Sequence, residues 1–116
     1  MKNKILFCIL SLFLFTACTD SNQNGYVNKK EAVSLLQKNA ILVDVRTTEE
    51  YVEGHIEGAV SIPLNELTKI VNLYEKDKTI IVYCQSGNRS HTAYQKLKEM
   101  NYEKVYDLGS IQNWED

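Results

Sequence analysis

The sequence predicts an α/β fold in which a central parallel sheet of about five strands is flanked by helices on both faces, and three observations carry that prediction. Residues 41–45 (Ile-Leu-Val-Asp-Val) and 79–83 (Thr-Ile-Ile-Val-Tyr) are runs too apolar for strands with one wet face, as expected of strands covered on both sides. Such runs alternate with helical stripes: Leu67, Ile70, Val71 and Tyr74 follow the i, i+3, i+4, i+7 rule, and Ala93, Leu97 and Met100 recur at helical spacing. Finally, residues 79–100 read as a strand, a tight loop and a helix, the unit from which parallel sheets build ligand sites at the carboxyl ends of their strands.

The chain is 116 residues long with a net charge of −2, which provides for one compact domain. Its lysines are scattered rather than clustered, which argues against nucleic acid as a partner. Residues 1–17 read as a secretory signal of lipoprotein type, with Lys2 and Lys4 ahead of an apolar run from Ile5 to Phe15. That run is short of the roughly 20 residues needed to span a bilayer. The end of the segment, Phe15-Thr16-Ala17-Cys18, resembles a lipobox, with Phe15 where Leu is usual. The resemblance implies acylation of Cys18 and an exported protein held at the extracytoplasmic side of a membrane, at the cell surface or in the periplasm. Residues 18–25 would be the lipidated N-terminus and a flexible tether, and residues 26–116 the folded domain, with a monomer as the default state.

Taken in order, Asn28 and Glu31 have the spacing of a helix-capping pair, with Val33 and Leu36 expected to face inward. Asp44 and Arg46 stand at the carboxyl end of the first strand. Thr47 and Glu50 form a second capping box, opening a short helix that Gly54 can end. Residues 60–62 make a short strand stopped by Pro63, residues 105–108 a last strand, and residues 109–114 turn back over the core. Tyr83, Tyr94, Tyr102 and Tyr106 are expected in the core or half in it.

The candidate chemistry lies in the loop Cys84-Gln85-Ser86-Gly87-Asn88-Arg89-Ser90. A turn so abrupt leaves backbone amides unpaired where they can bind an anion, with Cys84 at the mouth of that cradle. These amides, the helix N-terminus and the Arg89 guanidinium all favour a thiolate, while Gly87 allows a positive φ. Of the three cysteines, Cys8 falls in the signal and Cys18 at its end, so Cys84 has no disulfide partner and invites reading as a reactive group. The plain alternative is a small buried hydrophobe at a strand end.

Val43-Asp44-Val45-Arg46, Glu50-Tyr51, Gly54-His55-Ile56-Glu57-Gly58-Ala59, Ile62-Pro63, the Cys84 loop and Leu108-Gly109 through Trp114 together resemble a single-domain rhodanese, a sulfurtransferase. The resemblance covers the chain from Asn28 onward. It implies the rhodanese-like α/β fold and a catalytic Cys84 that takes sulfane sulfur from a small donor such as thiosulfate, carries it as a persulfide, and passes it to cyanide or a thiol. Gln85, Ser86, Gly87, Asn88, Arg89 and Ser90 would form the anion-binding loop. Asp44, Arg46, Glu50 and His55 would form a supporting network, with no metal or organic cofactor. His91, in the first turn of the following helix, is expected to be exposed. Ser110 stands where the family often has a second Gly.

The same residues admit other readings. Cys-dependent phosphatases and arsenate reductases carry C-x5-R on the family's pattern, whereas Cys84 to Arg89 is C-x4-R. A binding or sensor module on the same fold, or an extracytoplasmic thiol-redox protein, would use the same residues differently.

Overall fold

The computed structural model describes residues 25–115; the signal segment and Cys18 lie outside the described residues. Four parallel strands form one sheet: β1 (Ile41–Asp44), β2 (Val60–Ser61), β3 (Ile80–Cys84) and β4 (Val105–Ser110), in the spatial order β2-β1-β3-β4. A fifth position is occupied only by a one-residue parallel bridge between Tyr26 and Asp107 at the β4 edge. Gly25, assigned to the tether from sequence, belongs to that edge: it is buried, and its carbonyl accepts from the Asp107 amide at 2.8 Å. Among the described residues no helix is long and apolar enough to cross a membrane.

The side chains of the buried strands alternate between two cores, as the pleat requires. Val43, Val45, Ile80, Val82 and Cys84 face one layer, built from the 3-10 helix Leu64–Asn72 and from helix α3 (Asn88–Glu99) through Leu67, Ile70, Ala93 and Leu97. Leu42, Ile81 and Tyr83 face the other, covered by helix α1 (Lys29–Gln37), helix α2 (Thr48–Glu53) and the terminal 3-10 turn Ile111–Trp114. Both capping boxes form: Asn28 Oδ1 accepts from the Glu31 amide and Thr47 Oγ1 from the Glu50 amide, with each Glu reaching back to the cap amide.

Two helical expectations change. Of the stripe of Leu67, Ile70, Val71 and Tyr74, the first three sit on a 3-10 helix kinked at Glu66, not on an α-helix, and Tyr74 lies beyond its end. With three residues per turn, positions i and i+3 eclipse, so Leu67 and Ile70 are buried together while Val71, one residue on, is turned out to solvent. In α1 Ala32 is buried, and Leu35 and Leu36, half-buried like Val33, pack against the core. The four tyrosines lie where expected: Tyr83 and Tyr102 are buried, Tyr94 and Tyr106 half-buried against the cores. Helix α3 is capped by Met100, and Asn101 follows with φ 73°, a left-handed residue that stops the helix.

Candidate active site

Strand β3 runs through Cys84 itself, which is paired with Ser110 in β4, so the thiol is carried by the sheet rather than by the loop. The chain then turns in three residues and enters α3 at Gly87, whose φ of 102° is open to glycine and strained for other residues. That turn aims two amides at the sulfur: Gly87 N donates to Cys84 Sγ at 3.0 Å and Ser90 N at 3.3 Å. The Ser90 hydroxyl donates back to the Gly87 carbonyl at 3.1 Å and holds the turn closed. A sulfur at the N-terminus of a 12-residue helix, with amides directed at it, is in surroundings that stabilise negative charge there.

Cys84 is 0% exposed, so it forms the floor of the loop and not its mouth. The physical reason is its place in the strand: the alternation of β3 turns Cys84 inward with Ile80 and Val82, while Gln85 and Ser86 pass over it, exposed. The same side chain packs in a core cluster and accepts two loop amides.

The loop is tied down at both ends by ion pairs. The buried Asp44 carboxylate accepts from the Arg46 amide at 2.9 Å, from Arg46 Nε at 3.0 and 3.1 Å, from Nη2 at 2.8 Å, and from the Tyr83 hydroxyl at 2.8 Å. Arg46, 4% exposed, uses its remaining donors on the Gly54 carbonyl at 2.7 Å and on Gln85 Oε1 at 3.0 Å, which joins β1, α2 and the loop. Ser110 Oγ fixes the Gln85 carbonyl from the opposite side at 2.7 Å. Arg89 makes a two-bond pair with Glu50, at 2.8 and 3.1 Å, across 39 residues of sequence. Its charge is thus balanced by a carboxylate and not directed unshared into the loop.

That pair, with help from the Thr47 amide, holds the Glu50 carboxyl at about 2, below its ordinary 4.5. Because the folded value lies below the unfolded one, the stabilisation is present above about 4.5 and is lost as pH falls from there through about 2. Glu50→Gln is therefore expected to flatten the part of the acid-unfolding curve that falls in this window, read by circular dichroism against pH; an unchanged curve would remove Glu50 from the account.

His55 stands apart from the residues it was grouped with. It is exposed, its ring stacks on Tyr51 with centroids 3.7 Å apart, and its Nδ1 lies 2.9 Å from the Tyr51 carbonyl. His91 is exposed, its ring near those of Tyr26 and Tyr94. Two residues join the site without having been singled out for it. Tyr83 bridges Asp44 and the Ile56 amide, and burial raises its hydroxyl well above the usual tyrosine range. The fully buried Asp107 accepts from the Gly109 amide at 2.8 Å with Oδ1, leaves Oδ2 without a partner, and is pushed up by burial. A polar residue inside an otherwise apolar strand is the signal that marks both. Among the described residues no three His, Cys, Asp or Glu side chains come together as a metal site requires.

Known proteins share this fold. The rhodanese-like domain model matches residues 28–116. Thiosulfate sulfurtransferase PspE of Escherichia coli is 37% identical over 73 residues, covering 61% of this chain and 70% of that protein. The tRNA uridine(34) hydroxylase of Buchnera aphidicola is 34% identical over 116 residues, 93% of this chain, and the chain spans only 36% of that enzyme. A human single-domain sulfurtransferase superimposes with a TM-score of 0.68 at 29% identity, covering 78% of this chain and 94% of its own. With the fold, the loop and the match from residue 28 onward in agreement, the chain belongs to the rhodanese-like domain family.

Proposed function

We propose that the protein is a sulfurtransferase that takes sulfane sulfur from thiosulfate, or a donor of that type, and passes it to cyanide or a thiol through a persulfide on Cys84. The observation that carries the reading is the pair of amides, Gly87 N and Ser90 N, directed at Cys84 Sγ. The thiolate attacks the outer sulfur of thiosulfate, the bond between the donor's two sulfurs breaks, and sulfite leaves with that electron pair. The new sulfur then carries the negative charge, and the loop amides that held the thiolate are placed to hold it. In the second half, cyanide or a thiolate attacks the outer sulfur, the Cys84–sulfur bond breaks, and Cys84 returns as thiolate. No net oxidant or reductant is consumed. The thiosulfate sulfurtransferase activity of the Escherichia coli relative supports the choice of donor.

Burial of Cys84 sets the route of approach. Gln85 and Ser86, exposed above the sulfur, are the residues a donor must pass. The test is the intact mass of the protein before and after thiosulfate. One added sulfur atom, removed by cyanide with release of thiocyanate, is the expected result. Its absence in folded protein, with thiosulfate and with organic persulfide donors alike, would overturn the proposal.

A further inference from the structure

Strand β4 does not keep one register along β3. Asp107 pairs with Val82 and Gly109 with Tyr83, so Leu108 is an extra residue that bulges the strand. Ser110 thereby arrives opposite Cys84, where an unbroken register would have put Gly109. The bulge is held by Asp107 Oδ1, which accepts from the Gly109 amide at 2.8 Å, and by Asn113 Nδ2, which donates to the Leu108 carbonyl at 2.8 Å, while Gly109 turns with φ 83°. The Ser110 hydroxyl delivered there has a fixed direction. Its oxygen accepts from the Gln112 amide at 3.0 Å and lies 2.7 Å from the Gln85 carbonyl, which can only accept, so the hydroxyl proton points at Gln85. Resting on the sulfurtransferase reading above, we propose that Ser110 is a positioning residue for sulfur transfer: its hydroxyl locks the Gln85–Ser86 peptide so that the Ser86 N–H is turned toward the outer sulfur of the Cys84 persulfide.

A trans peptide is planar, with its C=O and its N–H on opposite sides. Binding the Gln85 carbonyl from β4 therefore turns the Ser86 N–H away from β4, across the turn whose inner side holds Cys84 Sγ. Among the described residues no protein acceptor is bonded to that amide. The amides that reach Sγ itself, Gly87 N and Ser90 N, are matched to the thiolate. In the uptake step the donor's S–S bond breaks with its electron pair leaving on sulfite, and the negative charge at the loop then sits on a sulfur one bond, about 2 Å, farther out. That sulfur needs a donor set back from Sγ, on the residues that pass over it, and Ser86 passes there. Arg46 Nη1 secures Gln85 from its other side through Oε1 at 3.0 Å, but a side-chain bond leaves the following peptide free to rotate. The bond from Ser110 to the carbonyl fixes the plane.

The test compares the parent protein with Ser110→Ala, which removes the hydroxyl, and Ser110→Thr, which keeps it. The Ser86 amide meets charge that is in place only as sulfur is transferred. Ser110→Ala is therefore expected to lower kcat for sulfite release from thiosulfate about fivefold, with KM within about twofold of the parent and Ser110→Thr close to the parent rate. In isotope-labelled protein the Ser86 amide proton is expected to move downfield on loading with thiosulfate in the parent and in Ser110→Thr, and to stay in place in Ser110→Ala. If Ser110 served only to cap the terminal 3-10 turn through Gln112, Ser110→Ala would lower the urea midpoint and leave kcat and the Ser86 shift as in the parent. That result would overturn the proposal, as would a Ser86 amide that does not move when the parent is loaded. Failure of thiosulfate to load Cys84 in the parent would instead overturn the functional reading. The order parameter of the Ser86 amide in unloaded protein would then decide the tether alone: a lower value in Ser110→Ala than in the parent supports it, and equal values overturn it.

Discussion

Cys84→Ser is expected to abolish sulfur uptake, with no mass gain from thiosulfate and a loss of transfer rate of roughly a thousandfold or more. The hydroxyl is a far poorer nucleophile than a thiolate, and no base stands against Cys84 Sγ to activate it: the atoms bonded to the sulfur are two backbone amides, which only donate. A Ser oxygen fits the same space and can accept the same amides, so the fold should persist with an unchanged urea midpoint, and loss of activity can then be assigned to chemistry. Residual transfer at more than a few per cent of the parent rate would mean that the sulfur is carried elsewhere. Since Cys84 is the free cysteine among the described residues, that outcome would exclude the persulfide route altogether within the folded domain.

Asp44→Ala is expected to destabilise the fold by about 3–5 kcal/mol, the usual cost of leaving one member of a buried ion pair behind. The Asp44 carboxylate is 0% exposed and receives five hydrogen bonds, four from Arg46 and one from Tyr83. Without it, a buried guanidinium and a buried phenol lose their acceptor, and water cannot easily replace it. A domain of this size has about 5–15 kcal/mol in all, so the variant should be close to unfolding at room temperature. Urea denaturation measures the effect, and a loss under about 1 kcal/mol would show that Arg46 finds other partners. The consequence for function follows from the geometry: Arg46 Nη1 holds Gln85, so the loop over Cys84 loosens together with the core.

Gly87, the helix start and the amide cradle were legible because they depend on local backbone conformation, which a run of seven residues largely dictates. The burial of Cys84 stood only as the plain alternative, although the signal that decides it was present. Extending β3 by one residue continues the alternation that puts Ile80 and Val82 into the core, and Cys84 follows them. Arg89 was expected to add charge to the pocket, but its partner Glu50 lies 39 residues earlier and is brought near only because α2 and α3 both open at the carboxyl edge of the sheet. His55 fell to the opposite error: its neighbours in sequence suggested the network, but its ring packs on Tyr51.

The sequence by itself determined the α/β class, both capping boxes, the course of the strands and the identity of the loop. Each of these is encoded in the spacing of residues within a few turns of one another, and apolar periodicity, caps and glycine act at that range. Only the tertiary structure decided that the segment from Leu64 winds as a 3-10 helix, that Arg89 is neutralised by Glu50, that Tyr83 and Arg46 share one carboxylate, and that a groove lies open along α3. These depend on which side chains meet after distant elements pack, and on how much space the packing leaves between them. Pairing energies and excluded volume are properties of the assembled layers, and no local pattern carries them.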